Sequence, residues 1–398
     1  MSGMCETAVA MMTAENVWIY GSGITGSRAA AELGRMNCLS KVRGFVVTHK
    51  SGVDSIEGFP VYGIEELDEP DKDALFLLAL SEKYHAEVID TLKSKGYSNY
   101  ATWNSGMRWY LTDYGFEDRR KNRSKVCFVL SGYKEFLWER IFERLIKFLP
   151  SDVEVCILSS GLYNKELGIT AEKNGWSYLH TAINCLTLVQ NMGVCLFDRA
   201  RWIYKMDEDI FLTEGCFDKL FDTYLKVEEN EPYNVGFTAP LMPLNGYSYI
   251  HILSHYGRIE DYERRFGKAV FGGSTEREIE KNPDVAAYMW GEGGMPLIDD
   301  MNREFGKEWG FGVCGVRYSI GFILYNRAFW ELMDGFTMTG GIDLGADERE
   351  LCSKCIIKSK AMIVSHDTVT GHFAFGPQTE AMKGFYRENP GRFALNRE

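Results

Sequence analysis

Short apolar runs alternate with segments of helical periodicity, and this alternation limits the fold more than any other feature of the chain. In the first part, residues 17–20 form a strand-like run that precedes a helical pattern over 27–36. A second series starts with the runs 125–130 and 153–158, which flank a helical pattern over 135–148. Strands and helices in this order form largely parallel sheets covered by helices. The sequence therefore predicts an α/β protein.

A basic segment without apolar periodicity, residues 118–124, separates the two series. A run of charge of this kind is typical of solvated linker chain. The length of 398 residues suits two or three domains of about 100–200 residues each. We therefore expect domains at residues 1–117 and 125–398, joined by this linker.

The charge and the hydropathy pattern exclude several classes of protein. The chain has 44 Lys and Arg against 56 Asp and Glu, a net charge of −12, so a broad nucleic-acid-binding surface is not expected. No apolar run approaches the roughly 18–20 residues of a transmembrane helix, and the first residues lack the basic region of a secretory signal. Several of the ten cysteines lie in apolar runs, as in proteins of reducing compartments. We expect a cytoplasmic protein with no transmembrane segment; a homo-oligomer remains open.

A glycine-rich turn follows the first strand. Residues 21–26 read GSGITG, and this spacing can bring backbone N–H groups and a helix N-terminus against a diphosphate. The predicted cofactor-binding residues are Gly21, Gly23 and Gly26. A glycine turn kept only for helix–strand packing is an equal alternative. The second strand ends at residues 46–49, VVTH, without the acid that holds the NAD ribose, which argues against NAD.

Two further segments of the first part, GFVV at 44–47 and EGFPVYG at 57–63, resemble the N-terminal Rossmann-like domain of bacterial sugar O- and N-acetyltransferases. The resemblance covers residues 16–100. In that family the small domain recognises a nucleotide sugar, so the resemblance implies a Rossmann-like nucleotide- or sugar-binding, or accessory, domain.

An acidic triplet, Asp207, Glu208 and Asp209, follows the apolar run 202–206. Acids at the end of a buried strand repel one another unless a cation lies between them. The hard ions Mg²⁺ and Mn²⁺ prefer carboxylate oxygens and share phosphate oxygens of the substrate. The triplet therefore predicts a divalent-metal site, with a solvated surface turn as the alternative.

Four segments in the second part, in order, resemble those of GT-A fold nucleotide-sugar glycosyltransferases, especially the family-2-like members. They are residues 199–209, 318–336, 347–354 and 369–373. The resemblance covers residues 125–380. It implies that a GT-A type α/β glycosyltransferase domain follows the small Rossmann-like domain.

This resemblance also assigns roles to individual residues. Asp207 and Asp209 fall on the acids that bind the metal and the donor diphosphate. His372 falls on a position that completes the metal shell in some members, with His366 as the alternative. The turn that contacts the nucleotide is replaced by Ser131, Gly132 and Tyr133, which we assign to donor binding.

The catalytic base is assigned in the same way to Glu348 or Asp347. The order here is Asp-Glu where the family usually has Glu-Asp, so either carboxylate qualifies. Residues 230–312 read as loop-rich. Their aromatic part, 240–312, is expected to form an acceptor pocket or lid, with a surface insertion that has its own small core as the alternative.

The implied function is a hexosyltransferase dependent on Mn²⁺ or Mg²⁺. It would move a sugar from a nucleotide-diphosphate donor to a carbohydrate or other hydroxyl acceptor with inversion, in bacterial surface-polysaccharide or glycoconjugate synthesis. A sugar-phosphate nucleotidyltransferase and a non-catalytic nucleotide-sugar-binding protein remain as alternatives.

Overall fold

The computed structural model describes the chain except for short stretches. The described residues are 10–11, 14–35, 38–50, 52–67, 73–103, 114–272, 277–333, 335–336 and 345–395. The chain divides into two compact units between Tyr114 and Gly115. The boundary expected from the sequence, after residue 117, lies three residues further along.

The first unit is built on a six-stranded sheet. Its strands are β1 (Val17–Tyr20), β2 (Val42–Val47), β3 (Ser55–Ile56), β4 (Phe59–Gly63), β5 (Leu75–Leu78) and β6 (Tyr100–Thr102), with helices α1 (Ile24–Arg35) and α2 (His85–Ser94). The spatial order is β3-β4-β2-β1-β5-β6, and only the β3–β4 pair is antiparallel. The strand order reverses at β1, so the glycine-rich turn lies at the topological switch point of the sheet.

The second unit is built on a nine-stranded mixed sheet and a small two-stranded one. Its strands are β7 (Tyr114–Glu117), β8 (Lys125–Leu130), β9 (Val153–Ser160), β10 (Ser177–Thr181), β11 (Trp202–Asp207), β12 (Ile210–Phe211), β13 (Val235–Leu241), β14 (Phe311–Val313), β15 (Phe322–Asn326), β16 (Ala361–Val369) and β17 (Gly371–His372). The large sheet has the order β14-β16-β13-β15-β11-β8-β9-β10-β7, while β12 pairs with β17. Strand β15 is antiparallel to both of its neighbours, so the sheet is mixed. The α/β prediction is confirmed.

Helices cover the second sheet. They are α3 (Glu135–Phe148), α4 (Lys165–Asn174), α5 (Leu186–Leu196), α6 (Cys216–Asn230), α7 (Ser248–His255), α8 (Ile259–Phe266), α9 (Glu278–Lys281), α10 (Pro283–Ala287), α11 (Ile298–Phe305), α12 (Arg327–Leu332), α13 (Ala346–Ile357) and α14 (Thr379–Glu388). Helix α3 is an example of how a helix buries one face: Leu137, Ile141 and Leu145 are spaced by four residues and are fully buried. This spacing places them on one face of the helix.

The loop-rich expectation for residues 240–312 is wrong. Helices α7 to α11 all lie in this stretch. Each has only four to eight residues, too few to set up a clear helical period in the sequence. The preceding strand β13 also lies in a region that reads as loop, because Gly236 and Pro240 are depleted in strands. Pro240 is tolerated where the register to β16 shifts.

The basic segment 118–124 is bound to the second unit rather than freely solvated. The backbone N–H groups of Lys121 and Arg123 donate to the buried carboxylate of Glu154, at 2.7 and 2.8 Å. The Arg120 guanidinium donates to the carbonyl of Leu196 at the end of α5, where a cation is favoured by the helix dipole. The segment therefore acts as the ordered start of the second unit.

The described residues contain neither a disulfide nor a membrane-spanning helix. None of the nine cysteines among them forms a disulfide, and eight are buried. Buried free cysteines act as small apolar side chains. None of the described helices is both long and apolar enough to cross a bilayer.

Candidate functional site

The carboxyl ends of β8, β9 and β11 meet at one edge of the large sheet, because these three strands are parallel neighbours. The turn 131–133 follows β8, and Asp207 is the last residue of β11. The chain then passes through Glu208 and Asp209 into β12, where Ile210 pairs with His372 of β17. The fold thus places Asp207, Asp209, His372 and the turn 131–133 at the same edge.

Glu208, the middle acid of the triplet, has a structural role. Its carboxylate accepts hydrogen bonds from the N–H groups of Gly132 and Tyr133, both at 2.9 Å, and from the indole N–H of Trp138 at 2.6 Å. These bonds join the end of β11 to the turn after β8. The side chain is buried, so Glu208 orients the turn 131–133 and is not open to a ligand.

Asp209 is 2% exposed and faces two cationic groups. The Lys134 ammonium bonds its carboxylate, and His372 Nε2 lies 3.5 Å from its Oδ2. Burial alone would raise the pKa of Asp209, but the charges of Lys134 and His372 hold it well below its usual range. Asp209 therefore stays ionised.

His372 is held in one orientation by the backbone. Its Nδ1 lies 2.9 Å from the carbonyl of Leu244, and the indole of Trp290 donates to the His372 carbonyl at 3.0 Å. The Nδ1 proton therefore points to Leu244, which leaves Nε2 facing Asp209. Burial lowers the pKa of His372, but the Asp209 carboxylate more than offsets this, so the pKa is raised.

Asp207 is paired with a buried lysine of its own strand. Lys205 Nζ lies 2.7 Å from Asp207 Oδ1 and donates to the carbonyl of Ile320 at 3.0 Å. Desolvation raises the pKa of Asp207 to about 6 against the opposing charge of Lys205, and Asp209 and Asp347 add to the rise. The pKa of Asp207 is therefore raised mainly by desolvation, with a smaller contribution from the neighbouring acids.

The two acids predicted as alternatives for the catalytic base, Asp347 and Glu348, lie at the start of helix α13 beside this cluster. Asp347 is buried, accepts from Gln190 Nε2 at 2.9 Å and lies 3.7 Å from Lys205 Nζ. Glu348 is more exposed and pairs with the guanidinium of Arg317. Burial raises the pKa of Glu348, Arg317 opposes this, and Asp347 adds to it. The Asp347 carboxylate is fully engaged with protein groups, whereas the Glu348 carboxylate is partly exposed to solvent.

A further carboxyl group near the cluster, that of Glu280 in α9, was not expected from the sequence. It is 4% exposed and lies near enough to Glu348, Arg317 and His372 for their charges to act on it. Burial, with Glu348 adding, raises the pKa of Glu280 to about 7. No pattern around residues 277–282 marks this acid as buried.

Lys205 was also missed, although the sequence contains a usable signal for it. A lysine inside the apolar run 202–206 is almost never buried without a partner, so it indicates an internal ion pair. Lys134 directly follows the turn 131–133, and the sequence around it gives no sign that it is paired. Its contact with Asp209 depends on the tertiary fold.

The turn 131–133, predicted to bind the donor, has groups that a ligand could contact. The Ser131 hydroxyl is buried and has no hydrogen-bond partner among the described residues. Tyr133 is 61% exposed, while its hydroxyl donates to the carbonyl of Ser160 at 2.6 Å. An anchored ring with an open face can stack on a nucleobase.

The glycine turn of the first unit is explained largely by packing. A Cβ on Gly26 would lie 1.9 Å from the Gly21 carbonyl oxygen, and one on Gly21 would lie 2.7 Å from that of Ala79. Gly21 also has a φ of +118°, which disfavours other residues. A Cβ on Gly23 would meet nothing within 4 Å. Packing does not explain Gly23, and ligand binding at this turn stays a prediction.

The residues at the sheet edge have the chemistry of a divalent-metal site but do not form a closed one. No three His, Cys, Asp or Glu side chains in the described part of the chain are gathered to hold an ion. Asp207, Asp209 and His372 supply the oxygen and imidazole ligands that Mn²⁺ accepts. In sites of this type, one or two carboxylates suffice because substrate phosphates complete the shell. The residues therefore fit an ion that arrives with a diphosphate.

Comparisons with protein-family models and with curated proteins find no match. Among solved structures, the chain is similar to a mannosyltransferase from Pyrobaculum calidifontis, PcManGT, in complex with GDP-Man and Mn²⁺. The two chains are 13% identical with a TM-score of 0.35. The likeness covers 67% of this chain and 62% of the mannosyltransferase. So distant a likeness carries no weight for fold or function, and the case for function rests on the residues themselves.

Proposed function

We propose that the second unit is a glycosyltransferase of the hexosyltransferase type, which moves a sugar from a nucleotide-diphosphate donor to an acceptor hydroxyl. The observation that carries the proposal is the cluster at the sheet edge. Asp209 lies beside His372, and Lys205 lies between Asp207 and Asp347, the first residue of the second acid pair. One acid pair suits a metal and a diphosphate, and the other suits a base for the acceptor.

Donor binding is assigned to the turn after β8 and to the acid triplet. Mn²⁺ or Mg²⁺ held by Asp207, Asp209 and His372 would neutralise charge on the departing diphosphate. The Ser131 hydroxyl and the exposed ring of Tyr133 would contact the nucleotide. Lys134, already beside Asp209, is placed to hold a phosphate oxygen.

The base is assigned to Glu348. Its carboxylate takes the proton of the acceptor hydroxyl, whose oxygen bonds to the anomeric carbon as the bond to the diphosphate oxygen breaks. Attack from the face opposite the leaving group inverts the anomeric centre. Asp347, held by Gln190 and Lys205, positions the start of α13 and leaves the proton to Glu348. A role in bacterial surface-polysaccharide or glycoconjugate synthesis belongs to the same proposal.

The test measures release of nucleoside diphosphate from a panel of nucleotide sugars with Mn²⁺ and candidate carbohydrate acceptors. Glu348→Gln is expected to lower kcat by roughly 10²–10⁴-fold, the usual contribution of a general base, with donor affinity unchanged. Glu350→Gln, two residues along the same helix, is the matched control. Wild-type kcat in Glu348→Gln would refute the base assignment. Release of pyrophosphate from a nucleoside triphosphate and a sugar phosphate would instead identify a nucleotidyltransferase.

A further inference from the structure

Two histidines outside the acid cluster form a contact pair. His251 of α7 and His366 of β16 have ring centroids 4.8 Å apart at an interplanar angle of 47°. Both Nε2 atoms are buried and have no hydrogen-bond partner among the described residues. A buried polar atom left without a hydrogen-bond partner destabilises the folded state. Two such atoms on neighbouring rings point to a shared ligand.

A tyrosine hydroxyl lies at the same place. A Cβ on Gly312 would stand 2.5 Å from Tyr247 Oη and 2.7 Å from His366 Nε2, so these two atoms meet over the bare face of the glycine. The Tyr247 ring also contacts His251, with centroids 4.8 Å apart. Because Gly312 has no side chain, the Tyr247 hydroxyl and His366 Nε2 can lie this close to the backbone and to each other.

Both imidazoles are neutral at physiological pH. Burial lowers the pKa of His251, and burial together with His251 lowers that of His366 to about 4. Metal binding requires the neutral imidazole. An ion can therefore bind near pH 7 without displacing a proton from either ring.

We propose that His251 and His366, with the Tyr247 hydroxyl beside them, bind a transition-metal ion of the zinc type and so link helix α7 to strand β16. Imidazole nitrogen suits Zn²⁺, Cu²⁺ and Ni²⁺, whereas Mg²⁺ prefers oxygen. Water would fill the remaining coordination positions. This site is separate from the carboxylates Asp207 and Asp209, and it does not depend on the proposed transferase activity.

The test is calorimetric titration of the metal-free, full-length protein with Zn²⁺ in excess Mg²⁺, which occupies oxygen-rich sites. We expect saturable binding of a zinc ion and a rise in Tm, because a ligand of the folded state stabilises it. His251→Gln and His366→Gln should each abolish both effects. His255→Gln is the matched control: it lies on the same helix, and its Nε2 is 3.0 Å from Glu304.

A further variant tests the geometry without removing either histidine. The added methyl group of Gly312→Ala would clash with Tyr247 Oη and His366 Nε2 and push them apart, so this variant should weaken Zn²⁺ binding; urea unfolding of each variant checks that it is folded. Absence of Zn²⁺ binding by the wild type, or binding unchanged in both histidine variants, would overturn the proposal. So would binding that is lost only in His372→Gln, since that result assigns the ion to the acid cluster.

Discussion

At the scale of single residues, Glu208 shows how one carboxylate can organise a site without taking part in its chemistry. It accepts three hydrogen bonds from the turn after β8 and from helix α3. The neighbouring acids Asp207 and Asp209 lie on either side of it in the chain and face the cationic groups. The alternation along the triplet therefore separates a structural acid from two candidate ligands.

Glu208→Ala should destabilise the protein by about 3 kcal/mol or more, because it leaves three donors in a buried place without an acceptor. Urea denaturation measures the change in the free energy of unfolding. Glu214→Ala, an exposed acid six residues along, should change it by less than about 0.5 kcal/mol. Equal stabilities of the two variants would show that the Glu208 bonds contribute nothing.

Glu280 gives a prediction about pH. Its pKa is raised from 4.5 to about 7, so the native state binds its proton more tightly than the unfolded state. Stability therefore falls as pH rises from about 4.5 to about 7, by about 3 kcal/mol at about 1.36 kcal/mol per pKa unit. Glu280→Gln should remove this fall and be more stable than the wild type at pH 8, but not at pH 4.

The measurement is denaturant unfolding of both proteins across that pH range. Asp284→Asn, an exposed acid on the next helix, α10, is the control and should follow the wild type. A Glu280→Gln curve parallel to the wild type would mean that Glu280 titrates normally in the folded protein.

At the scale of elements, a buried arginine ties helix α3 to helix α11 and to the end of the chain. Arg144 is 1% exposed and donates to both carboxylate oxygens of Asp299, at 2.8 and 3.0 Å. It also donates to the carbonyls of Leu212 and Ala394, at 2.8 and 2.9 Å. This bidentate pair fixes α11 beside β12, the strand that follows Asp209.

Arg144→Met should cost about 3–5 kcal/mol, because it removes a buried guanidinium that makes four hydrogen bonds, two of them to the half-buried Asp299 carboxylate. Thermal and urea unfolding both report the loss. Arg303→Met removes an exposed arginine of α11 that pairs with Asp300 and should cost less than about 0.5 kcal/mol. A small loss of stability in Arg144→Met would contradict this prediction. The Arg144–Asp299 pair would then be no more favourable than the contacts that both groups make with water in the unfolded protein.

Elements with a clear local pattern could be predicted from the sequence. Strands β1, β8, β9 and β11 are apolar runs bounded by turns, and helix α3 has a regular apolar face. Strand β13 could not be predicted, because tertiary packing overrides the poor strand propensity of its glycine and proline. The short helices α7 to α11 owe their conformation to packing rather than to periodicity.

The site was predictable only in part. The acid triplet stands out locally, and resemblance led to His372 and to the pair 347–348. The contact of Asp209 with His372 depends on pairing of β12 with β17, about 160 residues apart, for which no local pattern exists. The cations Lys134 and Arg317 and the buried Glu280 likewise reach the site through tertiary contacts.

At the scale of the whole molecule, the net charge of −12 takes on a specific meaning at the sheet edge. There the acids face Lys134, Lys205 and Arg317, yet Asp207 still has a pKa raised to about 6. Burial is the main cause of this rise, and Asp209 and Asp347 add to it; a divalent cation that arrives with an anionic diphosphate would stabilise the ionised acids. The central claim is that cation and nucleotide diphosphate bind together at this edge.

The most direct test is thermal unfolding of the full-length protein with nucleotide-diphosphate sugars, each with and without Mn²⁺. We predict that at least one nucleotide sugar raises Tm strongly only when Mn²⁺ is present, since a ligand stabilises by RT ln(1 + [L]/Kd). Asp209→Asn should keep the fold and lose this Mn²⁺-dependent rise. No Mn²⁺-dependent rise with any nucleotide sugar, or an undiminished rise in Asp209→Asn, would contradict the claim.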